Sequence, residues 1–394
     1  MISLARYADL FSQPDLRAAI AASIVGRLPI GLTGLAILLL VQASSNSFAS
    51  GGIMTAAYIA GLASIAPLAG RAIDRLGPRP VLRACAIAFP AALCLLVLSV
   101  HFLDPKGWVS LPLAFIAGAS FPPISVCMRT LLRQRLADDA QLSAAYSLEA
   151  VLIEMIFIVG PLVVALLIAT TVYELPVLLA ALCAAGGTAL FLRTPALQHW
   201  RRPPRVANGW GGPLSAPGFP TLLPIILVYA SAFGLVEIGI TGYAASVGRT
   251  PLAGILLALM SVGSALGGLV YGSRTWRAPL ARQFAVALAI MGAGVGLLAL
   301  TMNAWLFAIL SLLAGLVIAP ALTIQSLLVA KIASDAHITE AFTWSSTALL
   351  SGVGIGMALG GWAIERWGPS ATFILAAGAA LAAGASALGL RARR

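Results

Sequence analysis

Charged side chains are what this chain has least of. Asp, Glu, Lys and Arg make up 9% of its 394 residues, against 60% hydrophobic residues, and the mean hydropathy is +0.99. A water-facing surface cannot be assembled from what remains, so a soluble fold is excluded. Cysteine is also scarce. Cys85, Cys94, Cys127 and Cys183 all fall in apolar stretches with no motif spacing, where a thiol behaves as a small apolar side chain, and they predict neither a disulfide nor a metal site. The three histidines, His101, His199 and His337, fall outside the apolar runs. No H-E-x-x-H, G-x-S-x-G or G-x-x-x-x-G-K pattern occurs, so the sequence predicts no enzyme, no cofactor and no use of ATP.

What is present is apolar length. Runs of about 20 residues, the length a helix needs to cross ~30 Å of hydrocarbon, recur from one end to the other. Leu35 to Val41 and Ile255 to Leu259 are near-continuously apolar, which favours helices over the short alternating segments of an outer-membrane barrel. The first run is too long for a signal-peptide core and no small-residue cleavage site follows it, so it is expected to stay as a helix. Spans are predicted at 18–42, 50–70, 80–100, 110–134, 144–169 and 174–193, then at 221–247, 251–273, 283–301, 304–331, 340–363 and 369–390. The fold class that follows is an all-α membrane protein of twelve transmembrane helices.

The formal charge of +11 raises nucleic acid as a partner, but the placement of the charge argues against it. With the N-terminus in the cytoplasm, all but four of the 24 basic residues fall on that side, from Arg6 through the loops to Arg391, Arg393 and Arg394. Lys106, Arg249 and Arg366 fall outside, and Arg27 lies within the first span. This asymmetry predicts a multi-pass protein of the cytoplasmic (inner) membrane with both termini cytoplasmic. A basic surface beside anionic lipid accounts for the rest. The expected partners are the lipid bilayer and a small-molecule substrate, with no nucleic acid, and the chain is expected to act as a monomer.

One long polar interval, residues 194–220, is rich in Pro, Gly and Arg and reads as a cytoplasmic linker. It separates a predicted N-terminal six-helix bundle, 1–193, from a C-terminal one, 221–394. The halves repeat. Gly52, Gly61 and Gly70 of the second span are answered by Gly254, Gly263 and Gly272 of the eighth, each pair equally far apart in the chain. Ala117, Gly118 and Pro123 of the fourth span are answered by Ala314, Gly315 and Pro320 of the tenth, and Ala145-Tyr146-Ser147 by Ala341-Phe342-Thr343. Small residues at such spacings let helix backbones approach in a membrane. Two pseudo-symmetric bundles around a central loop are the arrangement expected of a rocking carrier.

Between the second and third spans lies GRAIDRLGPRPVL, residues 70–82. It resembles the cytoplasmic signature of the major facilitator superfamily, G-x-x-x-D-R-x-G-R-R-x-x-L: Gly70, Asp74, Arg75, Gly77, Arg79 and Leu82 match, while Pro78 replaces a basic residue. The resemblance implies the major facilitator fold and secondary transport by alternating access. It also implies that Asp74, Arg75 and Arg79 act as an ion-pair latch, set by Gly70 and Gly77, that one state keeps and another breaks. The equivalent loop of the second half, GSRTWRAPL, has no acid, so any latch is one-sided. Gly160-Pro161 in the fifth span resembles the start of the G-P-x-x-G-G signature of proton-driven exporters in the same superfamily, with Val164 and Ala165 where glycines would stand. That likeness points to an efflux antiporter with Gly160 and Pro161 at a helix bend, although Pro-Gly breaks also serve simple bending.

An ionisable side chain at mid-bilayer costs about 2.5–3.5 kcal/mol on insertion scales, so Arg27, Glu149, Glu154, Glu237 and, nearer the cytoplasmic edge, Arg129 need partners or water. At 1.5 Å per residue, Arg27 and Glu154 lie at one depth and Arg129 and Glu149 at another, which predicts two ion pairs that either orient helices or face a cavity. Glu237 has no basic residue at its own depth and is the candidate proton carrier. Phe121, Tyr229, Phe233, Tyr243 and Gln325 add aromatic and polar groups to a predicted apolar cavity, where packing is their alternative role. Pro29, Pro122, Pro123 and Pro320 free backbone groups at membrane depth. The function expected is proton-coupled export of a small organic molecule, with the proton gradient as energy source. The alternatives are a proton-coupled importer of a sugar, amino acid or organic acid, and a non-transporting membrane receptor or scaffold.

Overall fold

The computed structural model describes residues 10–45, 48–102, 108–198, 200, 212–249, 252–300 and 303–390. Lys106, His199, Arg6, the three C-terminal arginines and residues 201–211 of the predicted linker lie outside them. Among the described residues every regular element is a helix, and there is no strand. Hydrocarbon offers no partner for backbone N–H and C=O groups, so a chain this apolar must satisfy them within each segment.

Among the described residues, twelve segments are long and apolar enough to span a bilayer: Pro14–Ser45, Ser50–Leu76, Pro78–Phe102, Ser110–Arg135, Asp139–Thr170 and Glu174–Arg193, followed by Phe219–Ala244, Leu252–Gly272, Leu280–Leu298, Ala304–Ile332, Asp335–Trp367 and Pro369–Ala387. They are numbered below in chain order. The shortest has 19 residues, about 28 Å of helix, close to the hydrocarbon thickness. All twelve fall where hydropathy puts them.

Three spans are interrupted, each beside a proline. The first breaks at Leu28, between Pro14–Arg27 and Pro29–Ser45, because Pro29 has no N–H to donate back. The fourth breaks over residues 120–123, between Ser110–Ala119 and Ile124–Arg135, where Pro122 and Pro123 follow one another. The tenth breaks at residues 316–317, between Ala304–Gly315 and Ile318–Ile332. There Pro320 falls in the first turn of the new segment, where a missing N–H costs nothing. The fifth behaves differently, running from Asp139 to Thr170 as one helix with Pro161 inside it.

The residues fall into two compact units, Asp9–Arg135 with Met155–Ala207 and, separately, Leu136–Glu154 with Asn208–Arg394. The first is called the N-terminal unit and the second the C-terminal unit. The boundary passes through the fifth span, whose residues 139–154 group with the C-terminal residues.

Within each unit the helices cross through the same glycines. In the N-terminal unit, a Cβ added at Gly61 would collide with the Phe115 carbonyl oxygen, and one at Gly118 with the Tyr58 carbonyl oxygen. In the C-terminal unit, a Cβ at Gly263 would strike the Leu312 carbonyl oxygen and one at Gly315 that of Met260. These residues stand at the positions that the repeat pairs, so the second and fourth spans cross as the eighth and tenth do. The first span approaches the fifth through Gly31 and Gly160, and the seventh approaches the eleventh through Gly234 and Gly356. The glycines are therefore close-packing positions, as expected where van der Waals contact drives association. Side chains such as Leu32, Phe89, Leu93, Val164 and Val177 fill the core of the N-terminal unit.

Candidate functional site

The signature loop is a one-residue turn. The second span ends at Leu76, and Gly77 adopts φ 86° while its N–H bonds the Ile73 carbonyl at 2.8 Å. The third span then starts at Pro78. A left-handed residue closing one helix and a proline opening the next explain why glycine and proline stand here. The turn splits the charges of the motif. Arg75 and Arg79 are exposed, whereas Asp74 is buried at 8% exposure and lies within electrostatic reach of Cys127 in the fourth span, as does Arg27. The acid thus points into its own unit while the arginines point out. A cavity of about 210 Å³ beside the turn is lined by Leu76, Gly77, Arg79, Leu197, Gln198 and Trp200, among others.

Arg27, at 1% exposure, ends the first segment of the first span immediately before its break. Phe121, within the fourth-span break, and Arg129, beyond it, are half-buried, and Phe121 meets Phe89 edge-on at 5.3 Å. Glu149 is buried. Each depth-matched pair, Arg27 with Glu154 and Arg129 with Glu149, has its two members in different units. Gly160 serves backbone approach to Gly31, and its neighbour Pro161 sits within the continuous helix.

In the C-terminal unit Glu154 is held by hydroxyls. Ser264 Oγ donates to Glu154 Oε1 at 2.9 Å and accepts from the Ala319 backbone N–H at 3.1 Å. Ser261, one turn earlier, lies against the same carboxylate. Ser147 donates to the Gly268 carbonyl. These serines carry no signal that sequence reasoning used, because in a run such as SVGSALGG they read as small packing residues. The same holds for Ser345, which accepts from Gln325 Nε2 at 2.7 Å while Tyr229 donates to Gln325 Oε1. Tyr229, Gln325 and Ser345 are all buried, and Tyr229 also meets Phe233 and Phe284 edge-on. Tyr229, Gln325 and Ser345 thus form a buried hydrogen-bonded network that joins the seventh, tenth and eleventh spans.

Glu237 differs. It is exposed on the seventh span with Thr241 one turn on, and Phe233 one turn back is half-buried. On the opposite face of the same helix Gly239 meets Thr372 and Phe373 of the twelfth span, and Gly234, one turn before Glu237, meets the eleventh. No hydrogen bond or ion pair reaches its carboxylate among the described residues. Tyr243 stacks on Phe307 at 4.1 Å, which makes it a packing residue here. Gly212, with φ 48°, brings the end of the predicted linker against buried Glu340 in the first turn of the eleventh span, a placement the sequence did not suggest. No group of three or more His, Cys, Asp and Glu that could hold a metal ion occurs among the described residues.

Comparison with known proteins gives a match to the Major Facilitator Superfamily over residues 19–250. No curated protein sequence matches significantly. Among solved structures the chain is similar to the human organic anion transporter MFSD10 (TETRAN), at 17% identity and TM-score 0.75, covering 94% of this chain and 99% of that one. It is similar to a bacterial homologue of the iron transporter ferroportin in an outward-facing state with soaked iron, at 13% identity and TM-score 0.79, over 96% and 99%. It is also similar to the fucose:proton symporter FucP of E. coli, at 13% identity and TM-score 0.71, over 97% and 99%. At these identities the likeness is one of fold.

Proposed function

The chain belongs to the Major Facilitator Superfamily, and from that premise we propose that it is a proton-coupled exporter of small organic molecules. It is a multi-pass membrane protein with the fold of membrane transporters, not of enzymes. The proposed setting is a bacterial cytoplasmic membrane with both termini inside, and the proposed units of motion are two six-helix bundles, 1–193 and 221–394.

The observation that carries the reading is Glu237. An acid on the open face of an otherwise packed span must meet lipid, water or cargo, and facing lipid it would cost several kcal/mol with nothing in return. An aqueous cavity is the setting in which it can take up and release a proton and compete for a cationic or zwitterionic cargo. Phe233, one turn from Glu237, supplies apolar surface for such a cargo, while Phe121, Arg27 and Arg129 in the one unit and Glu149 and Glu154 in the other are the further groups assigned to cargo or coupling. Tyr229 and Gln325 brace the seventh span behind Glu237. Asp74, Arg75 and Arg79 on the Gly77 turn are assigned to the latch, with Gly70 and Gly77 setting its geometry. Support for the proton as coupling ion comes also from the fucose:proton symporter among the similar folds. Support for export comes from the exporter-like Gly160-Pro161 pair.

Direction is tested in right-side-out and everted membrane vesicles under an imposed pH gradient, with ethidium as cationic probe and labelled sugars, amino acids and organic acids alongside. Export predicts gradient-driven accumulation of the cation in everted vesicles. Accumulation of a nutrient probe in right-side-out vesicles instead would replace the exporter by an importer.

A further inference from the structure

Ser264 joins three elements of the C-terminal unit. The tenth span is broken just before Ala319, so the Ala319 N–H has no carbonyl in its own helix. Ser264 Oγ accepts that N–H and donates its own O–H to Glu154 Oε1. Two turns nearer the start of the fifth span, Ser147 donates to the backbone carbonyl of Gly268, and Val151 fills the space that a side chain at Gly268 would need. Residues 139–154 therefore dock on the eighth span through hydroxyls and exposed backbone.

A carboxylate holds the Ser264 proton by a charge-assisted bond, roughly twice as strong as the bond a neutral acid would accept. We propose that Glu154 is a protonation switch positioned by Ser264: neutralising it loosens residues 139–154 from the eighth span, so that the coupling proton gates movement of the fifth. The proton comes from the aqueous side and returns to it. This rests on the proton-coupled reading above and assigns that proton a conformational effect at one hydrogen bond. The first span, which meets the fifth at Ile156 and Gly160 through Gly31, carries Arg27 one turn earlier. The eighth span's ionisable side chain is Tyr271, which bonds Gln283. The tenth brings Lys331 at its far end and the eleventh Glu340 in its first turn, while the fifth itself carries Glu149.

The test needs no cargo. Spin labels are placed by Asp139→Cys and Arg274→Cys, both exposed, in a chain whose four native cysteines are replaced by alanine, and their separation is measured in nanodiscs across a pH series. The proposal predicts a short separation at alkaline pH and a longer one at acid pH, with the longer one at every pH in Glu154→Gln. Ser264→Ala is expected to move the midpoint to higher pH by about one unit, and Ser264→Thr, which keeps the hydroxyl, to restore it. A Glu154→Gln chain that titrates like its parent, or an unmoved midpoint in Ser264→Ala, overturns the proposal. Should the cysteine-free chain not fold, hydrogen exchange of residues 139–154 in the native-cysteine chain decides. At neutral pH, exchange about tenfold faster in Glu154→Gln supports the switch, and equal exchange overturns it. Either failure leaves gradient-driven flux in vesicles to be judged separately.

Discussion

Replacing Gly118 by alanine adds one methyl group, and the structure says where it must go. Its carbon would fall onto the Tyr58 carbonyl oxygen and lie 2.8 Å from the Leu62 backbone N. Both are backbone atoms of the second span, so no rotamer change relieves the clash and the two helices must separate. Overpacking of this kind costs about 1–3 kcal/mol. Gly52 lies on the same second span with nothing within 4 Å of its added Cβ, and there alanine should stabilise by about 0.5–1 kcal/mol, the usual mid-helix gain over glycine. The contrast between the two substitutions is then about 1.5–4 kcal/mol, or roughly 3–16 °C in Tm for a bundle of this size. The repeat makes the test sharper, because Gly263 and Gly315 should behave like Gly61 and Gly118, and Gly254 like Gly52. The assay is thermal unfolding of the purified chain in nanodiscs, followed by tryptophan fluorescence. The double change Gly61→Ala with Gly118→Ala should cost less than the sum of the two, since either one opens the same crossing. If Gly118→Ala melts within about a degree of Gly52→Ala, the duplicated crossing is refuted.

Gln325→Leu removes two buried hydrogen bonds, from Tyr229 to Gln325 and from Gln325 to Ser345, at about 0.5–1.5 kcal/mol each; the same unfolding assay should show the loss, and a neutral result would dissolve the network. Gly77→Ala forces a side chain into a left-handed conformation and should cost about 1–2 kcal/mol, read as a lower Tm with the helix content of the circular dichroism spectrum retained. Glu237→Gln should leave the fold intact, because the residue is exposed and the amide is nearly isosteric with the carboxyl, and an equal expression level and Tm check this.

The fold was legible because hydropathy and charge asymmetry are global signals: a misjudged end moves a span by a few residues without moving its neighbours. The paired glycines were legible for a deeper reason, since Gly61 and Gly118 must both lack a side chain for one crossing to form. Glycines that repeat also proved unequal, Gly52 being open where Gly61 is tight, and spacing alone cannot separate these. The charged groups were harder. Depth along a helix is readable at 1.5 Å per residue, but rotation and partner are not, which is why Glu154 turned out to be held by Ser264 and Ser261. Asp74 was legible as part of a motif, yet its inward direction, toward Cys127, depends on the Gly77 turn. Pro161 shows the limit of single-residue signals: the same residue type that breaks the first, fourth and tenth spans is carried inside an unbroken fifth.

Gradient-driven accumulation and simple exchange, measured side by side in proteoliposomes of the wild type and Glu237→Gln, test the central claim most directly. The account predicts that the variant still exchanges labelled cargo down its concentration gradient but no longer accumulates it when a pH difference is imposed. Accumulation that survives the substitution undiminished would contradict it.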